Sequence, residues 1–234
     1  MIEIKNVTKK YGENIALNNV SFEVPDGEIF AFIGHNGAGK TTLIKAIVGI
    51  HEIDEGDIII NGKSIKEKIV DCKKEMAFVP DNPELYENMK AIDFINFICD
   101  MYEISQETRK ENIHKYAKLF EIENNLNDPI NSFSHGMKQK IALISALAHN
   151  PKILIMDEPF VGLDPKAVFD IKKIMNEIVK EGKIVFFSTH ILDVAEKLCS
   201  KVAIIKKGKI MAVGNMKEIK GDKSLEKVFL ELGD

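Results

Sequence analysis

Arginine is nearly missing from this sequence: Arg109 is the only one in 234 residues, although lysine is plentiful. The planar guanidinium is the side chain that reads guanine and phosphate through paired hydrogen bonds, and the net charge is -4. A nucleic-acid partner is therefore disfavoured, although lysines alone can neutralise phosphates. Cysteine is scarce too. Cys72, Cys99 and Cys199 stand at neither metal-ligand nor redox spacing and read as small buried thiols in a reducing compartment. No run approaches the roughly 20 apolar residues of a membrane-spanning helix, and lysines interrupt any apolar stretch in residues 1–10 that would resemble a signal peptide. If the protein works at a membrane, another chain supplies the membrane part. Internal repeats and low-complexity linkers are missing as well.

What is present is an ordinary globular composition. The length fits one large domain, or one domain with an insertion, and a chain of this size buries about 70% of its unfolded surface without needing disulfides. Residues 2–7 and 20–24 alternate apolar and polar side chains, as half-buried strands do. Residues 28–33 are apolar after the first, as in a strand covered on both faces. Residues 57–60 and 63–65 flank Asn61-Gly62, a tight-hairpin signal, and the short strand 76–79 is stopped by Pro80. The middle changes character: residues 91–101 and 108–120 are amphipathic helices, so about 83–132 reads as a helical insertion. It carries more acids than bases. Alternation then resumes, with a buried helix at 137–149, a buried strand at 153–157, a helix at 167–180, a strand at 184–188, a helix at 191–198, a hairpin of 202–206 with 209–213, and a terminal helix at 224–232. Strands alternating with helices predict an α/β fold with a mainly parallel sheet covered by helices.

Gly34-His35-Asn36-Gly37-Ala38-Gly39-Lys40-Thr41 fits the phosphate-loop pattern G-x-x-x-x-G-K-[ST], placed between a buried strand and a helix. Glycines let backbone N–H groups approach a polyphosphate, and the helix beginning near Lys40 turns its free amides and positive end toward it. Lys40 is expected to reach the β- and γ-phosphates and the Thr41 hydroxyl to ligate Mg²⁺. The strand 153–157 ends in Asp157 and Glu158. Asp157 is expected to approach the Mg²⁺ from the neighbouring strand, directly or through water, and Glu158 to polarise the attacking water as general base.

At this point the sequence resembles the ABC (ATP-binding-cassette) ATPase family over nearly its whole length. The family signature, usually Leu-Ser-Gly-Gly-Gln, stands here as Phe133-Ser134-His135-Gly136-Met137. Ser134 and Gly136 are kept; Phe133, His135 and Met137 depart from it. Ser134 is also a good helix N-cap by itself. The resemblance implies a P-loop NTPase (RecA-like) core with a mainly parallel sheet, an N-terminal antiparallel β subdomain and a helical insertion. It divides one domain, 1–234, into a core of about 1–82 and 137–234 and a helical part of about 83–136. It makes Gly34, Asn36, Gly37, Gly39, Lys40, Thr41 and Thr42 nucleotide contacts and Tyr11 the aromatic that stacks on adenine. Leu163-Asp164 becomes the loop that crosses a dimer interface, and His190 the histidine that meets the γ-phosphate and steadies Glu158. Asp81 stands where the family normally has a glutamine. It can still meet Mg²⁺ or water, but it adds a negative charge beside the triphosphate.

The implied activity is ATP hydrolysis, with ATP and Mg²⁺ bound between two cassettes arranged head to tail, the serine and glycine of one facing the phosphate loop of the other. The implied partners are a second ATP-binding subunit and a membrane-spanning permease, at the cytoplasmic face of the cell membrane. Asp81 together with Gly136-Met137-Lys138-Gln139 resembles a subgroup of bacterial exporters. The rival reading is a soluble cassette ATPase of repair, translation or cofactor assembly; neither a long coiled-coil insertion nor a second cassette supports the first two. A GTPase would need a guanine-reading Asn-Lys-x-Asp segment, and the sequence has none.

Overall fold

Side-chain alternation decides the layers. The computed structural model of the protein describes residues 1–232. Strands β1 (Ile2–Tyr11), β2 (Asn14–Val24), β4 (Glu55–Ile60) and β5 (Lys63–Ser64) form an antiparallel sheet in the order β2-β1-β4-β5. A second sheet runs β10-β9-β3-β8-β7-β6, built from β3 (Ile29–Ile33), β6 (Met76–Val79), β7 (Ile153–Asp157), β8 (Ile184–Thr189), β9 (Lys201–Lys206) and β10 (Lys209–Asn215). Its strands are parallel except β10, which returns antiparallel to β9.

The two faces of this second sheet bury separate cores. Phe30, Phe32, Ile153, Ile155, Ile184 and Phe186 face the antiparallel sheet, with α1 (Lys40–Ile47) between the layers. Phe22 of β2 stacks on Phe30 and Phe32, with ring centroids 5.5 and 5.7 Å apart, and Phe30 stacks on Phe186 at 5.7 Å. Such pairs add about 0.5–1.5 kcal/mol each beyond their buried area. Ala31, Ile33, Leu154, Met156, Val185 and Phe187 face the other way, toward α3 (Ala91–Met101), α5 (His135–Ala148), α6 (Pro165–Lys180) and α7 (Leu192–Leu198). Between β6 and α5 the chain is helical as expected: α3, α4 (Gln106–Leu119) and two short 3-10 turns, with an isolated bridge from Lys90 to Pro129.

Several boundaries differ from the sequence reading, each for a local reason. Strand β2 begins six residues before the expected 20–24, because Asn14–Asn19 pair with β1 through bulges that break the alternation. Asn6 and Asn19 take left-handed φ of 52° and 55° there. Helix α5 starts at His135 rather than 137, capped by the Ser134 hydroxyl, which accepts from the Met137 N–H at 3.3 Å. Helix α4 starts at Gln106, capped by Ser105. The hairpin tips Asn61-Gly62 and Lys207-Gly208 both have positive φ at both residues, as a two-residue type I′ turn requires. Helices α2 (Ile69–Lys73) and α8 (Met216–Lys220) are too short to show a period, while α9 (Leu225–Glu231) matches the terminal helix. Among the described residues no helix is long and apolar enough to cross a membrane.

Candidate active site

The phosphate loop, Asp157, Glu158 and His190 gather at the carboxyl ends of β3, β7 and β8. The loop after β3 is wedged between two backbones. A Cβ on Gly34 would lie 2.7 Å from the Ile205 carbonyl oxygen, and one on Gly39 would lie 2.6 Å from that of Ala16. Gly39 also has φ 110°, a conformation open to glycine alone. The β9–β10 turn completes the clamp: the Gly208 N–H donates to the Ala38 carbonyl at 2.9 Å, and the Asn18 N–H donates to the Gly208 carbonyl at 2.8 Å. Gly37, by contrast, faces open space. Helix α1 starts at Lys40 with no side-chain cap among the described residues and no acid in its first turn, so its amides and positive end remain available to an anion.

Lys40 folds back over the loop and is buried. Its Nζ donates to the carbonyls of Gly34 at 2.8 Å and His35 at 3.4 Å, and lies 3.2 Å from Glu158 Oε1. Glu158 stands just past β7 in the left-handed region, with φ 47°, which for a residue with a Cβ costs about 1–3 kcal/mol. Its backbone N–H donates to Ser188 Oγ at 3.1 Å. Its Oε2 meets His190 Nδ1 at 2.9 Å and accepts the His190 N–H at 3.2 Å. Oε1 is buried and accepts no aligned hydrogen bond from any described residue, Lys40 giving charge but not alignment. Asp157 is buried, and Ser188 Oγ donates to its Oδ1.

The route from Asp157 to the loop differs from the sequence reading. Asp157 does not sit on the strand next to β3: β8 lies between them, in the order β3-β8-β7. Asp157 pairs in register with Ser188, and that serine joins the two acids to the strand in between. Sequence reasoning missed Ser188. Its signal was available only through strand register, since parallel β7 and β8 bring Asp157 and Ser188 side by side.

Tyr11, Asn36, Gly37, Gly39, Lys40, Thr41, Thr42, Asp81, Asp157 and Glu158 share the wall of one cavity of about 750 Å³. Asn14, Ile15, Ala16, Lys207 and Gly208 complete the wall and were not anticipated. Tyr11 is half exposed on its rim, edge-on to His51 at 6.0 Å, with Lys9 Nζ 5.4 Å from its ring centre. Burial, and then the charges of Asp157 and Glu158, raise the Asp81 carboxyl above its ordinary value. Three carboxylates crowded together in this way suit a site that receives a cation. Among the described residues no group of three or more His, Cys, Asp and Glu could hold a metal by itself. A divalent ion here would take Thr41 and Asp157 together with phosphate oxygens and water, the way Mg²⁺ is usually held beside a nucleotide.

Ser134, Gly136 and Asp164 are not part of that wall. They lie together elsewhere: a Cβ on Gly136 would be 3.5 Å from the Gly162 carbonyl, Asp164 caps α6 by accepting the Ala167 N–H at 2.8 Å, and Lys140 Nζ is 3.5 Å from Asp164.

A glycine-wedged phosphate loop on a mainly parallel sheet, with acids at the end of a nearby strand, defines a P-loop nucleotide-binding fold. The family model described as "ABC transporter" matches residues 17–161. The ABC-type transporter ATP-binding protein EcsA of Bacillus subtilis is 35% identical over 99% of this chain and 96% of its own length. The lantibiotic transport ATP-binding protein SrtF of Streptococcus pyogenes is 34% identical over 98% and 96%. The methionine import ATP-binding protein MetN of Clostridioides difficile is 34% identical over 99% of this chain and 74% of its own. A solved ATP-binding subunit of an ABC transporter superimposes with a TM-score of 0.96 at 33% identity, each chain covered fully. The dimeric cassette MJ0796, in a post-hydrolysis state bound to ADP and Pi, gives 0.84 at 27% identity over 92% of this chain and 99% of that one. The chain belongs to the ABC transporter family, as an ATP-binding and ATP-hydrolysing subunit.

Proposed function

We propose that this chain hydrolyses Mg²⁺-bound ATP between two cassettes and so drives a permease that exports its cargo. The observation that carries the catalytic part is Glu158: a partly buried carboxylate steered by His190 on one oxygen, with the other, buried oxygen lacking an aligned donor. Once Lys40 has left it, that oxygen suits a water proton, which makes Glu158 the general base. Lys40 exchanges its loop carbonyls and Glu158 for the β- and γ-phosphates, which frees the base when substrate arrives. Thr41 and Asp157, with Asp81 on the same cavity wall, would hold Mg²⁺, which would supply charge to offset the phosphate oxygens. His190 holds Glu158 in place and meets the γ-phosphate. Tyr11 offers its ring to adenine, and Gly34, Asn36, Gly37, Gly39 and Thr42 shape or donate to the phosphate cradle.

Ser134, Gly136 and Asp164 lie away from the cavity, so their role is proposed for a second copy or a second subunit, across a head-to-tail dimer. ATP linking two surfaces favours the closed pair and hydrolysis releases it. The part at about 83–136 is proposed to move against the core of 1–82 and 137–234. It bears Tyr86, Phe97 and Met101 as exposed apolar side chains, and Tyr86 and Phe97 meet edge to face at 5.8 Å. An exposed apolar patch of this kind suits a permease segment and would hold the subunit at the cytoplasmic face of the membrane. Export is supported by the resemblance of Asp81 with Gly136-Met137-Lys138-Gln139 to a subgroup of bacterial exporters.

The test is Glu158→Gln. Removing a general base is expected to slow ATP turnover about 10²- to 10⁴-fold, while ATP shifts the variant to a dimer in light scattering. Turnover equal to wild type would remove Glu158 from the mechanism, and a variant that stays monomeric in ATP would remove the dimer.

A further inference from the structure

The C-terminal helix touches the phosphate loop. The Phe229 ring of α9 lies 4.6 Å from the His35 ring, at 61° between planes. His35 is an exposed loop residue whose carbonyl does two jobs: it accepts the Ala38 N–H at 3.1 Å and the Lys40 Nζ at 3.4 Å. Holding the His35 side chain therefore also holds the turn, closed by the Ala38 N–H, that leads to Lys40.

Helix α9 is itself tied down. The Ser224 hydroxyl caps it, accepting the Lys227 N–H at 3.3 Å. Glu196 of α7 accepts the Leu225 N–H at 2.9 Å and pairs with Lys220 of α8 at 2.7 Å. Leu225 is fully buried in the larger core, and Phe229 packs on the edge of that core. Helix α7 in turn begins two residues after His190. One brace thus runs from the segment after His190, through α7 and α9, to the second residue of the phosphate loop.

We propose that α9 is a brace on the phosphate loop and that Phe229 is a positioning residue for ATP, acting through His35. This rests on the reading that the loop and Lys40 hold the phosphates. A loop already ordered has less conformational entropy left to lose when nucleotide binds, so Phe229 acts on affinity more than on the chemical step. An aromatic pair of this geometry changes an equilibrium by a factor of about two to ten.

The experiment measures affinity for trinitrophenyl-ATP, and KM and kcat for ATP, on the full chain. The variants are Phe229→Ala, Phe229→Tyr, His35→Ala, His35→Phe and the double alanine variant, with Leu230→Ala as a control on the exposed side of α9. Phe229→Ala and His35→Ala are each expected to weaken binding by about two- to ten-fold. The double variant is expected to be no weaker than the worse single, kcat at saturating ATP should stay within about two-fold, and both ring-retaining variants should keep wild-type affinity. Leu230→Ala should match wild type. Phe229→Ala with wild-type affinity overturns the proposal, as do single effects that simply multiply in the double variant. A fall in melting temperature with no rise in KM also overturns it. If Phe229→Ala does not fold, the His35 pair decides: His35→Phe losing as much as His35→Ala overturns it. A wild-type chain that fails to bind the nucleotide sinks the underlying reading of the loop instead.

Discussion

His149 offers a test of the packing at the far side of the molecule from the cavity. It closes α5, is buried, and stacks on Tyr102 with ring centroids 3.7 Å apart and planes within 6°. The Tyr102 hydroxyl donates to the Met76 carbonyl at 3.2 Å, fixing the other half of the stack. Burial, partly offset by backbone hydrogen bonding, lowers the imidazole from 6.5 to about 4. Well above pH 6.5 the ring is neutral whether the chain is folded or not, so it makes no pH-dependent contribution there. Between 6.5 and 4 the unfolded chain takes up a proton that the folded chain refuses, and folding is disfavoured as the pH falls. One unit is worth 1.36 kcal/mol, so the full window is worth about 3 kcal/mol. His149→Phe keeps a ring in the stack and removes the titration. Urea unfolding at pH 7.5 and 4.5 measures both proteins, and the carboxylates common to both cancel in the comparison. The wild type is expected to lose about 2.5 kcal/mol more than the variant over that interval. Equal losses would mean that His149 accepts its proton in the folded state, and the reasoning from burial would be wrong.

Much of the core site was legible because its chemistry is local in sequence. Gly34 to Thr42 are contiguous, and the apolar strand before Asp157-Glu158 announces where those acids stand. The helical insertion was legible through period alone, since the apolar positions of 91–101 and 108–120 recur at helical spacing. What was not legible depends on the order of strands. Nothing in residues 153–158 says that β8 separates them from β3, and so nothing marks Ser188 as the group that joins the acids. Lys207-Gly208 reads as a hairpin tip from sequence; its grip on Ala38 exists only because β9 lies beside β3. Phe229 is likewise one apolar residue of an amphipathic helix until the fold sets it against His35. The start of β2 was missed because bulges break the very alternation by which strands are recognised.

Three further outcomes follow from the site. Gly39→Ala places a Cβ 2.6 Å from the Ala16 carbonyl at φ 110°, so it is expected to destabilise the fold by about 1–3 kcal/mol in urea unfolding and to weaken ATP binding; unaltered stability would contradict the wedge. Phe186→Ala opens a cavity beneath Phe22, Phe30 and Phe32 and is expected to cost about 3–5 kcal/mol by the same measurement. Ser188→Ala tests the strand-register argument. Its hydroxyl donates to Asp157 and accepts the Glu158 N–H, so alanine leaves a buried amide unpaired and the left-handed Glu158 without its anchor. Loss of a supporting group of this kind lowers activity about 10- to 100-fold. Ser188→Thr keeps the hydroxyl and is expected to recover most of that loss. ATP affinity should change less than kcat in the alanine variant, because the Ser188 hydroxyl bonds the two acids and not Lys40 or the loop amides. If kcat is unmoved, or if threonine fares as badly as alanine, the acids are held by the strand backbone and the hydroxyl is incidental.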